Sequence, residues 1–246
     1  MDNHFSRRTL LSSDAENYSG RNDLQQHELQ QARVDVLAVA TAAAGFDRSR
    51  WSVQPAGDGE LAVLPANVPE WTVIDEFPSA LAHALAAYNA SQRHGGRLRM
   101  RLAIHQGLVS PAAGGYAGQG VVAVSRLVDS APARQALAAC PTTDLVVLLS
   151  PALFEEVVRQ GHTRMSERDF REVVVRNKTF HGSAWLHVPG HDIHALPLDT
   201  SVPVNERAEK PARPAEPVAN PAVTSHIHGG VHGDNPVIGI QNRFGA

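Results

Sequence analysis

Two aspartates stand where a fold can gather carboxylates. Asp14 ends the apolar run Leu10-Leu11-Ser12-Ser13, and Asp58 sits in Pro55-Ala56-Gly57-Asp58-Gly59 between two β-type runs. Carboxylates brought together at neighbouring strand ends offer hard oxygen donors, which suit Mg²⁺ or Mn²⁺ and the phosphates such ions accompany. Each residue also has a plain structural use. Aspartate in Gly-Asp-Gly tolerates turn backbone, and Ser13-Asp14 can cap a helix.

The elements that must position them follow from hydrophobic period. Arg8 to Ser13 reads as a strand. Asn22 with Gln25 three residues on forms a capping box for a helix that buries Leu29, Ala32, Val36, Ala40 and Ala43 and ends at Gly45. Trp51 to Gln54 and Glu60 to Leu64 flank the glycine turn as a hairpin, so Asp58 is expected on the turn beside the first strand. A second helix is expected over about Phe77 to Gln92, with Leu81, Ala84, Leu85 and Tyr88 on one side. Arg99 to Val109 reads as a long strand with Arg99 and Arg101 outward and Met100 and Leu102 inward. A glycine-rich loop from Gly114 to Gly120 leads to an apolar helix containing Arg126. A buried strand at Leu145 to Leu149, a short helix from Pro151, and a β pair at Arg171 to Val175 and Ala184 to Val188 complete the pattern. Alternating β and helical segments make this an α/β or α+β domain.

Composition bounds the partners. The 246 residues allow one sizeable core plus a tail, and a net charge of −3 without long like-charge runs gives nucleic acid no electrostatic purchase. No apolar stretch approaches the ~20 residues of a membrane span, and the opening Met1-Asp2-Asn3-His4-Phe5 lacks signal-peptide character, so the cytoplasm is the expected location. The single cysteine, Cys140, excludes an internal disulfide framework. After Leu198 the chain changes character: residues 199–224 form a Pro-rich linker, expected to be disordered, and 225–246 a tail containing His226, His228 and His232 and the apolar segment Val237-Ile238-Gly239-Ile240. That segment reads either as a docking strand for a protein partner or as an unstructured end, and the histidines as a metal site or as ordinary solvated side chains.

Three blocks, taken together, resemble the catalytic domain of class III adenylate and guanylate cyclases. Leu10-Leu11-Ser12-Ser13-Asp14-Ala15-Glu16-Asn17-Tyr18-Ser19 resembles the family's first metal motif, and Gly57-Asp58-Gly59-Glu60-Leu61-Ala62-Val63 the second. Arg99-Met100-Arg101-Leu102-Ala103-Ile104-His105-Gln106-Gly107-Leu108-Val109, then Gly118 through Arg126-Leu127, resembles its long strand, glycine loop and arginine-bearing helix. The resemblance spans roughly residues 7 to 190. It implies an α+β, ferredoxin-like cyclase fold over residues 1–198, a mostly antiparallel sheet flanked by helices. It further implies two Mg²⁺ or Mn²⁺ ions held by Asp14, Asp58 and the Ala15 carbonyl, and a nucleoside triphosphate as substrate. One ion would activate the ribose 3′ hydroxyl and the other would neutralise the departing pyrophosphate. Arg126 would stabilise charge on the α-phosphate from the other chain of a homodimer with composite sites, and Lys178 or Arg176 would bind phosphate.

Other positions depart from the family. Gln54 stands four residues before Asp58, where purine cyclases place a base-reading lysine, and Gly115 or thereabouts replaces the partner aspartate. Val122, four before Arg126, replaces the asparagine that orients the ribose. The resulting expectation is a divergent cyclase making a 3′,5′-cyclic nucleotide for signalling. Its alternatives are a catalytically silent cyclase-like domain that binds nucleotide or dimerises while its tail recruits a partner, and a metal-binding scaffold built on the tail histidines.

Overall fold

The structure, a computed structural model, describes residues 4–92, 96–177 and 180–198. The tail and its histidines, the 199–224 linker and Lys178 lie outside the described residues.

Among the described residues eight strands form one sheet in the order β2-β3-β1-β4-β6-β8-β7, with the short β5 added beside the end of β4. Strand β1 (Ser6–Ala15) is central and antiparallel to both β3 (Gly59–Val63) and β4 (Met100–Ala112). Strand β2 (Ser52–Ala56) closes one edge. On the other side β4 runs parallel to β6 (Leu145–Leu149), and β7 (Arg171–Asn177) with β8 (Phe180–His187) forms an antiparallel pair. Among the described residues the β4/β6 pair is the sole parallel one, so the mostly antiparallel α+β expectation holds.

Two apolar layers cover the sheet. On one face Leu11 and Ala15 pack with α1 (Asp23–Ala43) and α2 (Glu70–Ser91); on the other, Leu10 and Ala103 pack with α3 (Gln119–Val128) and α4 (Ala131–Ala139). Alternation along β1 puts Ser13 on the α1 face and Asp14 on the α3/α4 face.

Helix α1 starts as its sequence dictates. Asn22 Oδ1 accepts from the Gln25 amide at 3.0 Å, and Gln25 Oε1 accepts from the Asn22 amide at 3.2 Å. Helix α2 begins at Glu70, earlier than the expected Phe77, because it carries Pro78 in its interior. An interior proline costs about 3 kcal/mol, but the extra turns bury Val73, Ile74 and Phe77, each of which returns about 1.5–3 kcal/mol. Two further expectations are corrected. The 114–120 stretch is a hairpin with β5 (Gly115–Ala117) followed directly by α3, rather than a loop. Helix α4 was absent from the sequence reading: its Ser130 cap and early Pro132 announce it, but its alanine-rich body offers little contrast between faces.

Candidate active site

Asp14 is the penultimate residue of β1, inside the ladder rather than after it, flanked by Gly59 on β3 and Arg101 on β4. Arg101 is not outward-facing. It is 8% exposed, and its Nε and Nη2 donate to the two oxygens of Asp14, each at 2.7 Å. A sheet covered on both faces has no wet side, so a charged residue on β4 had to find a partner. The opposed carboxylate of Asp14 supplies it.

The hairpin brings Asp58 to the same place. Gly57 takes φ of 62° while Asp58 stays at negative φ, the pattern of a type II′ turn. Gly59 must be glycine, since a Cβ there would come 2.0 Å from the Ser13 carbonyl oxygen. That close approach lets the Ala15 amide donate to the Asp58 carbonyl at 3.1 Å, so the backbones carrying both aspartates abut. Their charges interact. Burial pushes the Asp14 carboxyl from an ordinary 3.8 up to about 6; Arg101 opposes the rise, Asp58 adds to it, and Arg134 opposes it more weakly. Even with a guanidinium in contact, Asp14 is short of compensating positive charge.

More distant arginines hold the helices over this face. Arg99 Nη1 donates to Glu16 at 2.7 Å, and its Nη2 to the carbonyls of Leu137 and Cys140 at the end of α4, the latter at 3.0 Å. A cation at a helix C-terminus satisfies carbonyls that the helix leaves open. Arg134, near the start of α4, pairs with Asp129. Neither Arg101 nor Arg134 was singled out from sequence. Arg101 becomes recognisable once β1 and β4 are registered, since it then falls opposite Asp14.

As a donor set, Asp14 and Asp58 suit a hard divalent cation: both offer carboxylate oxygens, and Asp14 is under-compensated. Among the described residues no group of three His, Cys, Asp or Glu side chains gathers around a metal position, so further ligands would have to be the Ala15 carbonyl, water or a bound phosphate.

The structure also brings two of the three departing positions, Gln54 and Gly115, together. Gln54 Nε2 donates to the Gly114 carbonyl at 2.9 Å, and a Cβ on Gly115 would lie 2.2 Å from Gln54 Oε1. The Gln54 amide fills the space beside Gly115, and its Oε1 is buried without a partner. Val122 is exposed on α3. Arg126, on the same helix, is half-buried with no hydrogen-bond partner for its Nε. Arg176 points outward on β7, while Cys140 is buried.

No family model matches the chain, and no curated protein is significantly similar to it in sequence. Solved structures are similar to it in fold. The guanylyl cyclase Cya2 aligns over 80% of this chain and 98% of its own, with a TM-score of 0.53 at 17% identity. An adenylate/guanylate cyclase/hydrolase from Silicibacter pomeroyi covers 76% and 98% with a TM-score of 0.54 at 19% identity. The adenylyl cyclase CyaB from P. aeruginosa covers 75% and 95% with a TM-score of 0.51 at 12% identity. By these structural likenesses, this chain is a divergent domain with the fold of the adenylate and guanylate cyclases.

Proposed function

We propose that the domain binds a nucleoside triphosphate at the Asp14/Asp58 end of the sheet and converts it to a 3′,5′-cyclic nucleotide and pyrophosphate. What supports this is that the backbones carrying two aspartates abut at one strand end of a cyclase-like fold, with the Asp14 carboxyl raised to about 6 by burial. Mg²⁺ or Mn²⁺ bound there would supply an activated 3′ hydroxyl and charge neutralisation at the triphosphate. The protein's own part is positional. Asp14 is ionised at neutral pH and held in one orientation by Arg101, while Arg101 and Arg134 add positive potential where phosphates would lie. Arg126, on α3, acts from the second chain of a homodimer with composite sites. Gln54 and Val122 stand at the positions that would face base and ribose, and Lys178 or Arg176 would bind phosphate.

A second reading has its own observation. Arg101 already engages both Asp14 oxygens, and Gln54 packs into the position facing Gly115, which together describe a cyclase-like domain that binds nucleotide or dimerises without turnover. Among the described residues no helix is long and apolar enough to cross a membrane. The test is to incubate full-length protein with each of the four ribonucleoside triphosphates and Mn²⁺. Cyclic product and pyrophosphate in equal amounts, lost in Asp58→Asn, support catalysis. Binding of a triphosphate without product supports the second reading.

A further inference from the structure

Asn177 ends β7 and is 7% exposed. Its Nδ2 donates to the Asp129 carbonyl at 2.9 Å, and at 3.4 Å to both Asp129 Oδ2 and the Arg126 carbonyl. All three partners are oxygens that only accept, so the NH₂ end of the amide must face them.

Those contacts fall on the end of α3, whose last carbonyls have no helical donor. Arg126 belongs to that last turn, and Asp129 is the residue that caps it. The Asp129 carboxylate in turn receives Arg134, whose charge reaches Asp14. One buried amide on an edge strand thus ties down the backbone beneath Arg126 and, through Asp129, the guanidinium of Arg134. Lys178 is its neighbour in sequence.

We propose that Asn177 is a positioning residue that sets Arg126 and Arg134 against the sheet, so that their charges face phosphate in a fixed arrangement. What the arginines act on rests on the cyclase reading above; the anchoring itself does not. An amide that only satisfied a helix end would affect stability and leave turnover alone.

Two variants of the full-length chain separate these roles. Asn177→Ala removes the donor, and Asn177→Asp keeps the shape while turning a carboxylate toward two carbonyls and the Asp129 carboxylate. Protonation of that new carboxyl restores one O–H donor. With the triphosphate that wild type converts, Asn177→Ala should lose about tenfold or more in kcat with a smaller change in KM, at every pH. Asn177→Asp should show the same loss at pH 8 and recover relative to wild type toward pH 6, and it carries the test if the alanine variant fails to fold. Loss below about twofold in both, or no pH-dependent recovery in Asn177→Asp, overturns the proposal. Hydrogen exchange over residues 125–135 gives a readout independent of activity and should quicken in Asn177→Ala. If wild type forms no cyclic product, the cyclase reading fails, and the anchor then stands or falls on that exchange: unchanged rates overturn it.

Discussion

Glu60, buried, and Asp14, largely buried, are acids beside the Asp58 hairpin on opposite faces of the sheet, and their partners differ. Glu60 is held by two guanidiniums: Arg48 Nη2 reaches its two oxygens at 2.6 and 2.8 Å, and Arg33 Nη1 reaches Oε2 at 3.3 Å. Asp14 has one arginine, a second acid nearby, and a carboxyl raised to about 6. A carboxylate saturated by two cations is finished by the fold; one left short of positive charge is prepared for something the fold does not supply. The first fixes β3 to α1, and so fixes the hairpin on which Asp58 rides. The second is where a ligand would act.

Breaking the saturated cluster should have the largest effect. Glu60→Gln leaves Arg33 and Arg48 facing no buried negative charge, and urea unfolding should report a loss of about 3–5 kcal/mol. A loss below about 1 kcal/mol would mean that the cluster is solvated and the contrast with Asp14 is unreal.

The under-compensated acid predicts a pH signature. Its folded carboxyl lies near 6, above the unfolded 3.8, so its favourable contribution is fully present below 3.8 and is lost as pH rises through 6. The stability of wild type relative to Asp14→Asn should therefore fall by at most about 3 kcal/mol between pH 4 and pH 7. A constant difference across that range would show that Asp14 is not strained by burial.

A smaller change sharpens the same point. Arg101 lowers the Asp14 carboxyl, so Arg101→Gln should move its titration upward by about one pH unit, read by NMR of the side-chain carboxyl. No movement would remove Arg101 from the site's electrostatics. Truncation after Leu198 should have the smallest effect: if the domain ends there, urea unfolding should stay within about 0.5 kcal/mol of full length.

Local signals made much of this legible. The Asn22/Gln25 capping box, the glycine turn and the apolar strands β1, β3 and β6 all appear where the sequence reading placed them, because each depends on neighbours in the chain. What was misread depends on partners distant in sequence. Alternation places Arg101 outward, a rule that presumes one wet face, and its pairing to Asp14 spans 87 positions. Pro78 hid the first turns of α2, whose burial against α1 outweighs the proline. Gln54 and Gly115 each depart from the family's pattern, but only the folded chain shows that one fills the space left by the other.

The most direct measurement is a Mn²⁺ titration of the full-length protein at pH 7.5 by electron paramagnetic resonance, with a non-reactive triphosphate analogue present. Wild type should bind Mn²⁺ saturably, and Asp14→Asn and Asp58→Asn should each weaken binding by about tenfold or more, because each removes a hard donor. Equal binding in wild type and both variants would contradict the assignment of the Asp14/Asp58 strand end as the cation site.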